Sequence, residues 1–558
     1  MMKRQLPLPP DDRELYWYFG PQRRWVLLCS SLVSVVTGAS MCAFALRTPA
    51  LWAFLAVLGL NLVALVLTSV NTLRQRRFSR RSHEVLLRAW RPGDAPRVDL
   101  YLPTCGEPLD VLANAYRAVA AVRWPGGLDV WVLDDAARDE VAALAGEHGF
   151  RYVVRPDRGH LKKAGNLNHA LTLSTGELVA VLDADFTPRP DFLHHLVPYL
   201  ADPTVGIVQS PQCFDTDPSM GWIQRAAGAA QEWFFRWIQP ARDAADAAIC
   251  CGSNAVYRRS ALDAAGGFAR LDHSEDMYTG LELHRLGHRT LYVPVLVAKG
   301  TSPETAHAFA NQQYRWAMGN LRLLVTRDLG RLGRTGASWR LRLCYYEGIA
   351  GYLAGLVNTV TALLPPLVMM FGYPEQVRPW HVLPLLAPLW LWHVLLPRVS
   401  RTRWRFEVVR ANLLVSAAAG AALLDTLRGR GAGWVPTGAA SGSARGGGGA
   451  GTRIVRATAW WLALSTAATL AGLAVAVHHA GWGDAWGLGL YVLVQCQLNL
   501  PLLRDLVRAL RGRTAPAAPA APRTPMRPRR WPEALATTSS LLLVLLLASG
   551  WADPMLTF

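Results

Sequence analysis

Apolar residues in this chain gather into runs, each about as long as a bilayer is thick. Two open the sequence, Trp25–Leu46 and Leu51–Val70, and five more follow at Gly351–Phe371, Trp380–Pro397, Ala457–His478, Trp486–Leu503 and Ala534–Trp551. A helix needs ~20 apolar residues to cross the hydrocarbon core. A backbone in lipid must also satisfy its own hydrogen bonds, so such runs fold as helices. The first is too long and too poorly flanked for a cleaved leader. Between the second and third runs, from Val98 to about Gly330, the chain is polar enough for a soluble domain. The expectation is a polytopic membrane protein of seven spans with that domain inserted between them.

Charge orients this layout. Lys and Arg exceed Asp and Glu by 18, and the pI is near 10.0. The excess sits beside the apolar runs, at Lys3, Arg4, Arg23 and Arg24 before the first and Arg74, Arg76, Arg77, Arg80 and Arg81 after the second. This is the positive-inside pattern. It puts the amino terminus and soluble domain in the cytoplasm, the carboxyl terminus outside, and a lipid bilayer among the partners. A nucleic-acid binder would instead need a basic face on the soluble domain, so nucleic acid is not expected. The 8 cysteines include no CxxC pair, and Cys250 and Cys251 are adjacent. That argues for reduced thiols rather than zinc or disulfides.

The expected organisation is a cytoplasmic segment (1–24), a two-span hairpin (25–70), a soluble domain (98–306) and interfacial amphipathic helices (307–350). Two spans (351–397), an interfacial helix with a Gly-rich loop (404–456), two spans (457–503), a basic Ala/Pro linker (504–533) and a last span (534–551) follow. Trp404–Leu427 is assigned to the interface because Arg405, Glu407, Arg410 and Asp425 interrupt its apolar residues.

Within the soluble region, β-rich runs at Val98–Leu102, Leu128–Leu133, Arg151–Val154, Leu178–Leu182, Val205–Gln209 and Thr290–Val293 alternate with helical patterns at Pro108–Val122, Arg138–Gly149 and Lys162–Leu173. Such alternation predicts a largely parallel sheet covered by helices. Ligands then bind beyond the carboxyl ends of the strands.

Four clusters carry candidate chemistry, and the first two fall where that rule points. Asp183-Ala184-Asp185 ends a strand, and residues two apart in an extended segment face the same side. Two carboxylates can therefore meet one divalent cation, Mg²⁺ or Mn²⁺; a turn capping the next helix is the plainer reading. Asp134-Asp135 ends another strand and could bind a nucleotide or cap the helix that follows. Ser274-Glu275-Asp276 precedes a helix whose amino terminus would keep a carboxylate ionised, as a general base requires, though capping explains it equally. In Gln312-Gln313-Tyr314-Arg315-Trp316, positions 312, 315 and 316 share one helical face. Arg suits a diphosphate and Trp a sugar ring, while an interfacial helix with a snorkelling Arg explains the same pattern.

Singly these clusters are ambiguous; in this order and spacing they resemble the D, DxD, (T)ED, QxxRW series of processive family 2 glycosyltransferases of the bacterial cellulose-synthase type. Thr104-Cys105-Gly106-Glu107-Pro108, Lys163-Ala164-Gly165-Asn166-Leu167-Asn168, Gln209-Ser210-Pro211-Gln212 and Cys251-Gly252-Ser253-Asn254 extend the match over about Val98–Gly330. The resemblance implies an α/β GT-A-type domain with a mixed, mostly parallel sheet between transmembrane helices. It implies that Thr104, Glu107, Asp134 and Asp135 hold the nucleotide, with Lys163, Gln312 and Arg315 near the diphosphate. Asp183 and Asp185 would bind the metal and donor, Asp276 with Glu275 beside it would be the catalytic base, and Cys251 and Trp316 would line the acceptor end.

The activity implied is inverting transfer from UDP-glucose to a growing β-glucan, 1,4 or mixed in linkage, passed across the cytoplasmic membrane. Partners would be the UDP-sugar, the growing chain and, beyond the membrane, periplasmic or cell-surface export proteins. Another β-glycan, a mannan or an amino-sugar polymer, is the alternative; a transferase-like membrane scaffold or transporter is the rival outside the enzyme class. Two departures stand out. Serine replaces the threonine of Thr-Glu-Asp, and the gating-loop motif ending in Thr-x-Lys-Gly is missing, its place taken by Trp434-Val435-Pro436-Thr437-Gly438. Arg401–Arg405 and Arg523–Arg527 have the RxxxR spacing of a cyclic-di-GMP-binding domain without its following strand, so no such domain is expected.

Overall fold

The computed structural model describes residues 6–19, 23–72, 78–91, 95–216, 220–379, 383–391, 395, 406–430 and 449–512. The Gly-rich loop with Trp434–Gly438, most of the Ala/Pro linker, the Ala534–Trp551 run, both RxxxR pairs and part of Trp380–Pro397 lie outside them.

Helices α1 (Arg23–Arg47) and α2 (Phe54–Thr72) pack against each other, and a short amphipathic helix α3 (Arg80–Ala89) follows. The soluble domain then alternates β1 (Val98–Thr104), α4 (Leu109–Ala120), β2 (Leu128–Asp134), α5 (Asp139–Glu147), β3 (Arg151–Val153), α6 (Lys162–Leu173) and β4 (Leu178–Val181). After it come β5 (Thr187–Pro188), α7 (Phe192–Leu196), β6 (Val205–Gln209), β7 (Cys213–Phe214), α8 (Trp222–Trp233), α9 (Gln239–Asp243) and β8 (Ala255–Arg258). The domain closes with α10 (Arg259–Ala264), α11 (Glu275–Arg285), β9 (Arg289–Tyr292), β10 (Ala298–Gly300) and α12 (Ala306–Arg322).

Seven strands make one sheet in the order β3-β2-β1-β4-β8-β6-β9, in which only β8 runs against its neighbours. Period-two alternation supplies its two packed faces. Leu100, Leu102, Val132, Ala180 and Leu182 enter one core, and Tyr101, Trp131, Leu133, Val179 and Val181 the other. The antiparallel β8 has a functional consequence. Ala255 pairs with both Val181 and Gln209, so the loop before β8 lies at the edge where β4 and β6 end. A second sheet, β5-β10-β7, sits just past that edge.

Beyond α12 the described residues are mostly helical: α13 (Asp328–Arg334), α14 (Trp339–Thr361), α15 (Leu364–Gly372), α16 (Leu383–Trp390), α17 (Phe406–Leu427) and α18 (Ala450–Leu510). Among the described residues, four helices are long and apolar enough to cross a membrane: Leu28–Arg47, Trp339–Gly372, Glu407–Leu427 and Ala450–Leu510; Phe54–Val70 is a shorter apolar helix. Ala450–Leu510 is two helices joined at a kink, because Gly481 takes φ 72° and ψ 164°. The runs Ala457–His478 and Trp486–Leu503 fall on either side of it. The segment assigned to the interface, α17, meets the length and composition of a span, yet it packs on α8 and α12 of the soluble domain as well as on α14 and α18.

Soluble domain and membrane helices are bolted together. The Gly451 N–H, at the start of α18, donates to Asn311 Oδ1 on α12 at 2.6 Å. Residues 6–19 lie along the soluble domain, where the Leu296 N–H donates to the Leu15 carbonyl at 2.9 Å and Asn114 Nδ2 to the Pro7 carbonyl at 2.8 Å.

Candidate active site

The nucleotide-site candidates form one hydrogen-bonded unit at the ends of β1 and β2. Thr104 pairs in register with Asp134. Glu107 folds back to accept from Thr104 Oγ1 and, at 2.7 Å, from the Cys105 N–H. Asp134 is fully buried and accepts the N–H groups of Ala136 and Arg138, both at 2.9 Å, so its carboxylate shapes the turn into α5. Asp135 is gripped by Arg155 through two bonds of 2.7 and 2.9 Å.

Arg155 escaped the sequence reading, although it directly follows a strand, where ligand-facing residues were sought. It is 1% exposed and also donates to the carbonyls of His160 and Lys162, at 2.5 and 3.2 Å. Its guanidinium explains the glycine of Lys-Ala-Gly-Asn, since a Cβ on Gly165 would lie 2.2 Å from Arg155 Nη1. Asn166 ties the same helix to β2, donating to the Leu133 carbonyl at 2.7 Å.

Lys163, in the first turn of α6, pairs with Asp183 and donates to the Gly252 carbonyl at 2.8 Å. Burial opposes its charge, but Asp183 and then Glu275 hold its pKa above the usual range. The Asp183 N–H donates to Ser253 Oγ at 2.9 Å, so the loop before β8 is clasped to the Asp-Ala-Asp turn. Gln209 and Gln212 hold that loop from behind. Gln209 Oε1 accepts the Cys251 N–H at 2.6 Å, and Gln212 Nε2 donates to the Cys251 carbonyl at 2.8 Å. Cys251 is thereby placed next to the acidic pair; burial, then the charge of Asp276, keeps its thiol protonated.

Gly252, at φ +71°, brings this loop against Asp276, where a Cβ would fall 2.9 Å from the Asp276 carboxylate. Glu275 and Asp276 form the first turn of α11, and Asp276 Oδ1 accepts the Met277 N–H at 2.7 Å. Burial, then the neighbouring Glu275, pushes the Asp276 pKa up to about 7; burial also raises Glu275, against the pull of Lys163. Ser274 does not cap α11. It takes the left-handed conformation (φ 57°), and its hydroxyl donates to the Arg315 carbonyl at 3.2 Å. The Ser-Glu-Asp turn is thus seated on the helix carrying Gln312, Arg315 and Trp316. Gln312 is buried and Trp316 half-buried. Arg315 is lowered to about 10 by burial, which Glu275 and Asp183 partly offset, so it shares the field of the same carboxylates.

Asp185 completes the set. Burial, then the charge of Asp183, raises it to about 7. Two hard-oxygen donors side by side suit a divalent cation, whose charge would favour the ionised form of Asp185. No cluster of three or more His, Cys, Asp or Glu placed for a metal occurs among the described residues. A cation here would therefore take its other ligands from water and a phosphorylated substrate.

Side-chain and backbone contacts thus link Thr104 at the end of β1 to Arg315 on α12, with Gln312 and Trp316 carried on that same helix. Residues 178–397 match the model of glycosyl transferase family group 2. The chain is 36% identical over 286 residues to the UDP-forming cellulose synthase catalytic subunit of Pseudomonas fluorescens, across 50% of this chain and 38% of that one. It is 35% identical over 283 residues to cellulose synthase 2 of Novacetimonas hansenii, across 50% of this chain and 18% of that one. The chain therefore spans less than two fifths of the length of these relatives. Among solved structures, a mannosyltransferase from Pyrobaculum calidifontis in complex with GDP-Man and Mn²⁺ aligns over 67% of this chain and all of that one, with 21% identity and a TM-score of 0.45. The matched stretch carries Asp183, Asp185, Glu275, Asp276 and Arg315, and through it the chain is similar to family 2 glycosyltransferases and, over half its length, to cellulose synthases.

Proposed function

We propose that this chain is a processive, inverting glycosyltransferase that polymerises a β-glucan from UDP-glucose and passes it across the cytoplasmic membrane. The observation that carries the reading is the seating of Asp276. This carboxylate is half-buried at the start of α11, covered by Gly252, in the field of Lys163 and Asp183, and its turn is anchored on α12. Thr104, Glu107, Asp134 and Asp135 form the uridine end, with Arg155 bracing Asp135. Asp183 and Asp185 would hold Mg²⁺ or Mn²⁺, which neutralises charge on the departing diphosphate. Lys163, Arg315 and Gln312 orient that diphosphate. Asp276 takes the proton of an acceptor hydroxyl, whose oxygen attacks the anomeric carbon from the side opposite the leaving group. A single displacement turns an α-linked donor into a β-glycoside. Trp316 and Cys251 hold the chain end for the next addition.

Support for transport comes from packing. The helix with Arg315 and Trp316 lies against α17 and α18, so the acceptor end borders the membrane helices. Incubating membranes that contain the protein with labelled UDP-glucose, GDP-mannose and UDP-N-acetylglucosamine separately, then digesting the product with linkage-specific hydrolases, tests the donor. Polymer from UDP-glucose alone, cut by a β-1,4- or mixed-linkage glucanase, is expected. Polymer from GDP-mannose or the amino sugar would replace the glucan reading, and incorporation from none would remove the polymerase reading.

A further inference from the structure

Thr301 touches the Asp-Ala-Asp turn directly. Its Oγ1 donates to Asp185 Oδ2 at 2.7 Å. It follows β10, and the fold fixes that strand from three sides. The pairing of β10 with β5 and β7 sets Lys299 opposite Thr187 and Cys213, and the Asp215 N–H donates to the Gly300 carbonyl at 2.9 Å. Gly300 lies so close to the aromatic residue after Asp185 that a Cβ there would come within 2.4 Å of the Phe186 ring. Lys299 is 5% exposed and pairs with Glu14 at 3.0 Å and Asp215 at 3.7 Å, which ties the strand to residues 6–19. Such a threonine does not drift with its carboxylate; it sets where the carboxylate points.

We infer that Thr301 is a positioning residue for the donor-side cation, occupying Asp185 Oδ2 and leaving Oδ1 to the metal. The inference rests on the reading of Asp183 and Asp185 as cation ligands. Groups that hydrogen-bond a metal-ligating carboxylate fix its orientation, and their loss costs ~10–100-fold in metal affinity. A hydroxyl rather than an amide or a cation suits this place. It gives one short donor, adds no charge that would compete with the metal, and sits on a rigid strand.

The test uses the full chain in detergent and titrates Mn²⁺ by electron paramagnetic resonance of the free ion, with and without UDP. Thr301→Val, which keeps the shape and removes the donor, is expected to weaken Mn²⁺ binding about 10–100-fold and to leave metal-free UDP binding unchanged. Thr301→Ser should bind Mn²⁺ as the wild type does. If the Val variant does not fold, Thr301→Ala removes the same hydroxyl without the second methyl and carries the same expectation. Wild-type Mn²⁺ affinity in the folded Val or Ala variant overturns the inference while leaving the cation reading intact. A wild-type chain that binds Mn²⁺ no better than Asp185→Asn, with UDP present, overturns the cation reading itself, and the role of Thr301 with it.

Discussion

At the scale of the residue, the two carboxylates raised to about 7 are those the chemistry needs most, Asp185 and Asp276. Burial creates the effect, and a neighbouring acid adds to it. For Asp276 the sign is plain. A base works ionised, and a carboxylate is ionised above its pKa, so kcat/KM should fall as pH drops through about 7. A flat profile between pH 6 and 8 would be evidence against Asp276 as the base. Asp276→Asn should lower polymer synthesis by at least about 10²–10⁴-fold while UDP still binds, measured by isothermal titration; full activity would take this residue out of the mechanism. Trp316→Ala should shorten or abolish the product, and an unchanged chain-length distribution would count against a platform role.

At the scale of the element, two contacts join parts that lie far apart in sequence. Gly319 lets α12 approach α11, since a Cβ there would lie 2.1 Å from Ser274 Oγ and 2.4 Å from its Cβ. Gly319→Ala should push the Ser-Glu-Asp turn off its seat and cut activity by more than about tenfold, a loss near 1.4 kcal/mol, with UDP affinity and helix content kept. Wild-type turnover in that variant would show that the seat does not matter. The second contact concerns the amides Gln495, Gln497 and Asn499, which in a membrane helix can either line a polar path or join helices. Asn499 is 2% exposed and donates to Thr466 Oγ1 at 2.9 Å, so it joins the two halves of α18 instead. Pro501 lacks an N–H and so deprives the Gln497 carbonyl, four residues earlier, of its helical partner. Arg410 from α17 fills that gap at 2.5 Å and reaches the Leu498 carbonyl at 3.1 Å. A charge that reads in the sequence as a mark of the interface is also a helix-to-helix bond.

At the scale of the molecule, three connections gather on one side. Arg378 approaches Asp484 at 3.7 Å beside the kink of α18, and Phe44, Met370, Val377 and Ala485 share one apolar cluster. Exposed Trp52, Trp482 and Trp486 rim this side, as an interfacial belt would. The opposite ends, Gly451 and residues 6–19, are fastened to the catalytic domain. We therefore predict that Gly483→Cys, in a background whose native cysteines are replaced, reacts with a membrane-impermeant maleimide in intact cells. Leu173→Cys, on the exposed face of α6, should react only after lysis; the reverse pattern would invert the proposed orientation.

How much could be read in advance follows from the range of the forces involved. Local periodicity marked the apolar runs and the six β-rich runs, because burial in lipid or in a two-faced sheet acts on neighbouring residues. Ordered motifs pointed to Asp134, Asp135, Asp183, Asp185, Glu275, Asp276 and Arg315. The antiparallel β8, which is four residues long, and the tiny sheet around β10 left no such mark, since long-range strand pairing alone makes them strands. Arg155 and Thr301 stayed hidden for the same reason: each acts on a carboxylate 20 or 116 residues away. Composition and pattern determined that there would be membrane helices, a mostly parallel sheet and acids at its carboxyl edge. Only the tertiary structure decided which hydroxyl, guanidinium and glycine meet each acid, because those contacts depend on the close packing of segments the chain itself keeps apart.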